Sequence, residues 1–285
     1  ITSLITSRDK IDWKRFLYGF FVWGIIAVVM TYISILLAPE NFTWNFNAGP
    51  FFILVAIYGI VCWSKNKSLK ALIIITIGFV GATLFHGGMA VGGYIFIIIL
   101  LITSFMKILT KLKYLKININ SLLIFIFSII SIFYLILISN SIPKIGGLIN
   151  NVDSEIILDK IASRNIKNAA YPEWTIPKTE FELIYKAPIR IIYFMFSPFP
   201  WDIKKNAHFL GFFDGMFHIM LFFLFIKNFK LIWGDRTLRI IFIILASYLV
   251  VFGIGTGNFG TGIRHRTKFL IILIIMVAPW IPKIR

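Results

Sequence analysis

A chain of 285 residues that is 59% hydrophobic and only 14% charged cannot fold as one water-soluble domain, because too little polar surface exists to face water. One cysteine, Cys62, excludes an internal disulfide and a cysteine-based metal cluster. The 29 Lys and Arg against 12 Asp and Glu give a net charge of +17, which in a membrane protein reflects basic cytoplasmic loops beside anionic lipid; no basic, aromatic-studded soluble module is present to take nucleic acid.

In chain order, the sequence opens on Ile1 without a secretory n-region, h-region and cleavage site, and one expectation is that earlier spans are missing. Apolar runs near 14–38, 48–64, 71–85, 93–109, 120–139, 208–226, 238–254 and 267–282 predict about eight transmembrane helices, the shorter ones extended or tilted. The expected fold class is therefore all-α and polytopic, a single integral membrane domain over 1–285 with a long, partly helical outer loop over 140–207. Basic residues set the orientation. Arg8, Lys10, Lys14 and Arg15 precede the first run; Lys65, Lys67 and Lys70 follow the second. Lys107, Lys111, Lys113 and Lys116 follow the fourth; Lys227, Lys230, Arg236 and Arg239 follow the sixth; Lys283 and Arg285 follow the eighth. All fall on one side, which the positive-inside rule makes cytoplasmic. The segment IRIIYFMFSPFPW, 189–201, is apolar but short, and is expected to be interfacial or re-entrant rather than spanning.

The long loop is too long for a mere connection and is expected to be a functional lid or a passive cap. Asp153 or Ser154 can cap a helix through SEIILDKIASRNI, with Ile157, Ile161 and Arg164 on one face. There Arg164 either meets an anionic partner or snorkels. Thr179 and Glu182 form a capping box for a short helix expected to end before Pro188.

HGGMAVGG, 86–93, is a tight outer turn whose glycines let neighbouring spans pack closely, and its His86 is read as structural. Asp214 and His218 are four apart in the sixth run and share a helix face, as a functional pair or a structural hydrogen bond. The last outer loop, GTGNFGTGIRHR, contains a G-x-G-x-x-G pattern. However, membrane segments flank it and no acidic residue follows Arg266, so a nucleotide fold is excluded. Its glycines are expected to expose backbone N–H groups, and the last helix to carry Arg264 in its first turn. With Arg266, Lys268 and the proton-exchanging His265, this suits a phosphate or pyrophosphate; anchoring to anionic lipid headgroups is the plainer reading.

GNFGTGIRHRTKF before an apolar run resembles the terminal motif of Wzy-type oligosaccharide repeat-unit polymerases. So do PIRIIYFMFSPFPWDI followed by GFFDG, and a late outer loop holding SRNIKNAAYPEW. The resemblance covers roughly 70–282, with RHR and SPFPW as its more specific parts, and it is related to that of the O-antigen ligases. It implies a GT-C-like glycosyltransferase of the bacterial inner membrane with its active site facing the periplasm. The substrate would be an undecaprenyl-pyrophosphate-linked glycan, with no metal or other cofactor and with a chain-length regulator as partner. The resemblance carries over onto Arg264, His265 and Arg266 as catalytic residues and onto Arg164 as substrate-binding; Glu173, Arg190, Asp214, His218 and Lys268 are the further candidates for binding substrate. The acceptor's proton would go to His265 or to an outer carboxylate such as Glu173. HGGMAVGG departs from the family in lacking an arginine. The alternatives are an O-antigen ligase and a flippase for lipid-linked glycans. For the latter, no inverted repeat is visible and the charges gather at the outer face.

Overall fold

The structure is a computed structural model, and it describes residues 49–112, scattered positions between 122 and 129, 154–164 and 169–278. The run at 14–38 and most of that at 120–139 lie outside the described residues, as does Asp153. Most of the described residues are helical. In chain order the helices are α1 (Gly49–Asn66), α2 (Leu69–Phe85), α3 (Ala90–Leu112), α4 (Ser154–Ser163), α5 (Glu180–Phe196), α6 (Ala207–Lys227), α7 (Phe229–Gly234), α8 (Arg236–Gly255) and α9 (Phe259–Val277). Among the described residues there is no strand, only an isolated antiparallel bridge between Ala170 and Asn258.

Four helices, α1, α3, α6 and α8, are long and apolar enough to cross a membrane, and α2 is a shorter apolar helix. Aliphatic and aromatic side chains dominate their sequences, and a helix pairs its backbone groups within itself. Their outer faces are apolar too. Leu69, Ile73, Ile77, Val80 and Leu84 form one exposed stripe on α2, and Leu210, Phe213, Met220 and Phe223 are exposed on α6. Such stripes are stable against lipid and not against water. α9 is not among the four, because Arg264, Arg266 and Lys268 fall in its first half.

α8 forms the centre and packs against α1, α3, α5 and α9. Tyr248 and Phe252 of α8, Phe269, Ile272 and Met276 of α9, and Ile57 and Ile60 of α1 form part of one buried cluster. α1 and α2 make the tightest hairpin: a side chain on Gly78 would overlap the backbone of Ala56. The turn between them closes at Lys67, whose φ is 45°. Thr237 at the start of α8 donates to Ser64 near the end of α1 at 2.7 Å. At the other end, Tyr248 donates to the Met89 carbonyl at 2.9 Å, and the rings of His86, Phe252 and His265 meet at 5.1 Å. The basic α1–α2 and α7–α8 turns therefore share one end of the bundle. The His86 turn and the α8–α9 corner share the other.

α5 departs from its expected length. Thr179 caps it, accepting from the Glu182 amide at 3.2 Å, while Glu182 accepts from the Lys178 amide at 2.9 Å and from Lys186 at 2.8 Å. The Lys186 ammonium and the Lys178 amide hold the Glu182 carboxyl below its ordinary range. Yet the helix does not stop before Pro188; it continues to Phe196 with the proline inside. An internal proline costs roughly 3 kcal/mol. Burial of Tyr193, Phe194 and Met195 beyond it, with Arg190 locked in place, outweighs that cost. After α5 the chain passes a cis Ser197–Pro198 peptide and a short 3-10 turn, Pro200–Asp202, to reach α6. Pro198 packs on Gly211, and the Phe196 carbonyl sits where a side chain on Gly215 would be. The end of α5 thus lies about two turns down from the start of α6, and the chain climbs back out to that start.

Candidate functional site: the α8–α9 corner

Three residues, 256–258, link α8 to α9, and the segment that precedes α5 clamps them. The Tyr171 amide donates to the Gly257 carbonyl at 3.0 Å, and the Phe259 amide to the Ala169 carbonyl at 2.9 Å. Asn258 caps α9, accepting from the Thr261 amide at 2.8 Å, while its side-chain amide donates to the Arg164 carbonyl at 3.2 Å. These bonds correct two expectations. The Phe259, Thr261 and Gly262 amides are used inside the protein and are not open to a phosphate. The helix begins at Phe259, so Arg264 stands in its second turn rather than its first.

The two buried arginines are consumed by structure. Arg266 is 2% exposed. Its Nε donates to Asp214 Oδ2 at 2.7 Å, Nη2 bonds the same carboxylate and the Gly211 carbonyl, and Nη1 bonds the carbonyls of Met195 and Ser197. A guanidinium has five N–H donors, and all five are taken. Arg266 therefore joins α9 to the last turn of α5 and to α6, where carbonyls and the helix dipole favour a cation. It has no donor left for a substrate, which corrects its expected catalytic role. Arg190 is fully buried and does the same for α8. Its Nε and Nη2 donate to Ile254 O, Nη2 also to Thr256 O at 2.7 Å, and Nη1 to Thr175 O at 3.3 Å. It too binds the protein's own carbonyls rather than substrate.

Asp214 and His218 share a face of α6 and lie against each other. Asp214 pairs with Arg266, and the buried His218 places Nδ1 2.8 Å from the Asp214 backbone carbonyl and 3.6 Å from Asp214 Oδ1. The buried Nε2 of His218 has no hydrogen-bond partner among the described residues. Arg164 follows the last turn of α4 and is exposed, not on an apolar face; Ile161 alone of that stripe is seen buried. One Arg164 donor reaches the Gly255 carbonyl at 2.7 Å, leaving the rest of its fork open. Glu173 is exposed on the 3-10 turn after Tyr171.

What remains is a cationic corner. Lys268 is 4% exposed, with Nζ 3.1 Å from His265 Nδ1 and 6.0 Å from the centre of the Phe252 ring. Arg264, one turn back on α9, is exposed, and its guanidinium makes no hydrogen bond to the described protein. His265 stands in the field of Lys268, His86, Arg264 and Arg164 together. Among the described residues, no carboxylate lies within ion-pair distance of Lys268, Arg264 or Arg164. A buried ammonium without a counter-charge is costly, and an anionic ligand would supply one. With Nδ1 accepting from Lys268, the neutral imidazole carries its proton on Nε2 and is a donor there. Among the described residues no group of three or more His, Cys, Asp or Glu converges as a metal cage.

Phe252, Tyr171 and Ser197 were not legible as site residues. Phe252 reads as one more aromatic in an apolar run, and Tyr171 lies in a loop with no periodicity to place it. No protein-family model, curated protein or solved structure matches this chain.

Proposed function

We propose that this protein is a membrane glycosyltransferase that polymerises oligosaccharide repeat units carried on a lipid pyrophosphate, at the outer face of the bacterial plasma membrane. The observation that carries the reading is Lys268: an ammonium buried with no carboxylate near it among the described residues, beside His265 and within a turn of the open guanidinium of Arg264. The resemblance of GNFGTGIRHRTKF and SPFPWDI to the repeat-unit polymerases points the same way, and so do the apolar helices, which suit a lipid-borne substrate.

In this reading Lys268, Arg264 and Arg164 hold the pyrophosphate. The bond between the sugar's anomeric carbon and the pyrophosphate oxygen breaks, and the acceptor hydroxyl oxygen forms the new bond to that carbon. The electron pair leaves on the pyrophosphate, where the three cations stabilise the growing charge. His265, as an Nε2 donor, adds a hydrogen bond to the same oxygens. The acceptor's proton passes to a carboxylate, for which Glu173 on the outer turn is the assignment. Arg266 and Arg190 are positioning residues that hold α5, α6 and α8 around the corner.

The test is polymerisation by the reconstituted protein supplied with a lipid-pyrophosphate-linked repeat unit. Lys268→Met and Arg264→Ala are each expected to slow ladder formation about a hundredfold, the usual cost of losing one transition-state donor. Full-rate ladders from both variants would remove the corner from the reaction. Transport of the lipid without polymerisation would instead favour a flippase.

A further inference from the structure

Two short turns flank α5 and have the same construction. Glu173–Thr175 and Pro200–Asp202 are each a single 3-10 turn, and each sets a tryptophan beside an acid, as Glu173-Trp174 and Trp201-Asp202. The Thr175 amide closes the first on the Pro172 carbonyl at 2.9 Å, and the Asp202 amide closes the second on the Phe199 carbonyl at 2.9 Å. Both tryptophans face outward, Trp174 57% and Trp201 70% exposed. Yet both are held. Trp201 stacks on Phe199 with ring centroids 4.9 Å apart and planes within 13°. Its indole N–H, a donor only, bonds the Tyr193 hydroxyl. The rings of Phe199 and Trp174 each meet that of Tyr193 near right angles, at 5.2 and 6.1 Å. One buried tyrosine thus supports both exposed indoles, within the span of one short oligosaccharide.

A tryptophan that anchors a protein at the bilayer interface turns its indole N–H toward water and headgroups. Trp201 instead gives that N–H to Tyr193, and exposed Lys204, Lys205 and Asn206 follow it, as exposed Glu173 precedes Trp174. Each turn therefore presents a fixed aromatic face beside a carboxylate. The C–H groups on one face of a pyranose ring are weakly positive and stack on the electron-rich face of an indole, while the sugar's hydroxyls donate to a carboxylate. An acyl chain would leave both carboxylates unused. We infer that Trp174 and Trp201 form a glycan-binding platform that holds sugar rings of the acceptor, an inference that rests on reading the corner as the site of a glycosyl transfer. The platform is continuous with that corner. Arg190 takes the Thr175 carbonyl, next to Trp174, through Nη1 and the Thr256 carbonyl, in the α8–α9 link, through Nη2. A sugar stacked on Trp174 lies beside Glu173, the carboxylate assigned to take the acceptor's proton. Both turns are closed and Trp201 is already fixed, so little ordering is left for the glycan to impose.

The experiment titrates the full chain in lipid nanodiscs with the lipid-free repeat-unit oligosaccharide, released from its carrier by mild acid, and reads binding by saturation-transfer NMR. Trp174→Ala and Trp201→Ala are each expected to weaken binding about tenfold, the cost of one lost aromatic stack. Trp174→Phe and Trp201→Phe are expected to keep most of the affinity, because the ring face remains and only the N–H is lost. Binding that both alanine variants retain in full overturns the platform, as does an oligosaccharide that the wild type fails to bind. Quenching of these two indoles by lipid brominated in its acyl chains, read as the difference between wild type and the Trp174→Phe, Trp201→Phe double variant, would make them membrane anchors and overturn it too. None of these readouts involves the pyrophosphate or turnover. A corner that proves idle in the ladder assay and a platform that fails here are therefore separate results.

Discussion

At Arg266 and Lys268, two cations two residues apart on one helix have opposite fates. Arg266 is compensated by Asp214 and by carbonyls of α5 and α6; Lys268 has an imidazole and a phenyl ring. Asp214→Asn keeps the shape and strips the charge, leaving a buried guanidinium unpaired. It is expected to destabilise the protein by about 3 kcal/mol, read as a lowered unfolding midpoint in nanodiscs. Lys268→Met should do the reverse, holding or raising the midpoint, because it removes a charge the fold does not neutralise. The same variant should lose binding of radiolabelled lipid pyrophosphate. A large loss of stability in Lys268→Met would mean that its ammonium has a structural partner and is not waiting for a ligand. The sequence makes R-H-R-T-K stand out as a basic cluster where the charge bias leads one to expect few charges. It does not show which of its cations is spent, because that depends on Asp214, 52 residues away, and on carbonyls at the end of another helix.

Among the elements, α5 is the one whose sequence reading fails most usefully. Thr179 and Glu182 mark its start correctly, since a capping box is local chemistry. Pro188 misplaces its end, because local cost is set against burial of residues far beyond it. The return of the chain after Ser197 rests on close approach to α6: Gly215 leaves room for the Phe196 carbonyl, and Gly211 for Pro198. Gly215→Ala would bring a methyl into that carbonyl and is expected to cost about 1–3 kcal/mol, typical of overpacking in a tight core. Alanine favours a helix over glycine, so an exposed site would show a gain instead. A stability rise in Gly215→Ala would therefore separate α5 from α6 and open the proposed re-entry to question.

For the molecule as a whole, sidedness decides whether the cationic corner can meet a substrate outside the cell. Ser64 with Thr237 at one end, and His86 with His265 at the other, bring together the loops that the charge bias assigns to each side. With Cys62 replaced by serine, cysteines introduced at Asn258 and at Asn228 should react with an impermeant thiol reagent from opposite sides. Same-side labelling would invert every loop after α5. Hydropathy was enough, from sequence alone, to expect helices apolar and long enough to cross a membrane, and the placement of Lys and Arg to expect a basic side and a charge-poor side. These are sums over independent residues, each with its own transfer free energy into lipid, so no knowledge of neighbours is needed. Only the tertiary structure decided that Arg266 and Arg190 brace helix ends while no carboxylate among the described residues reaches Lys268, Arg264 or Arg164. Whether a buried charge is compensated depends on acceptors brought in from distant parts of the chain, and no local pattern records their arrival.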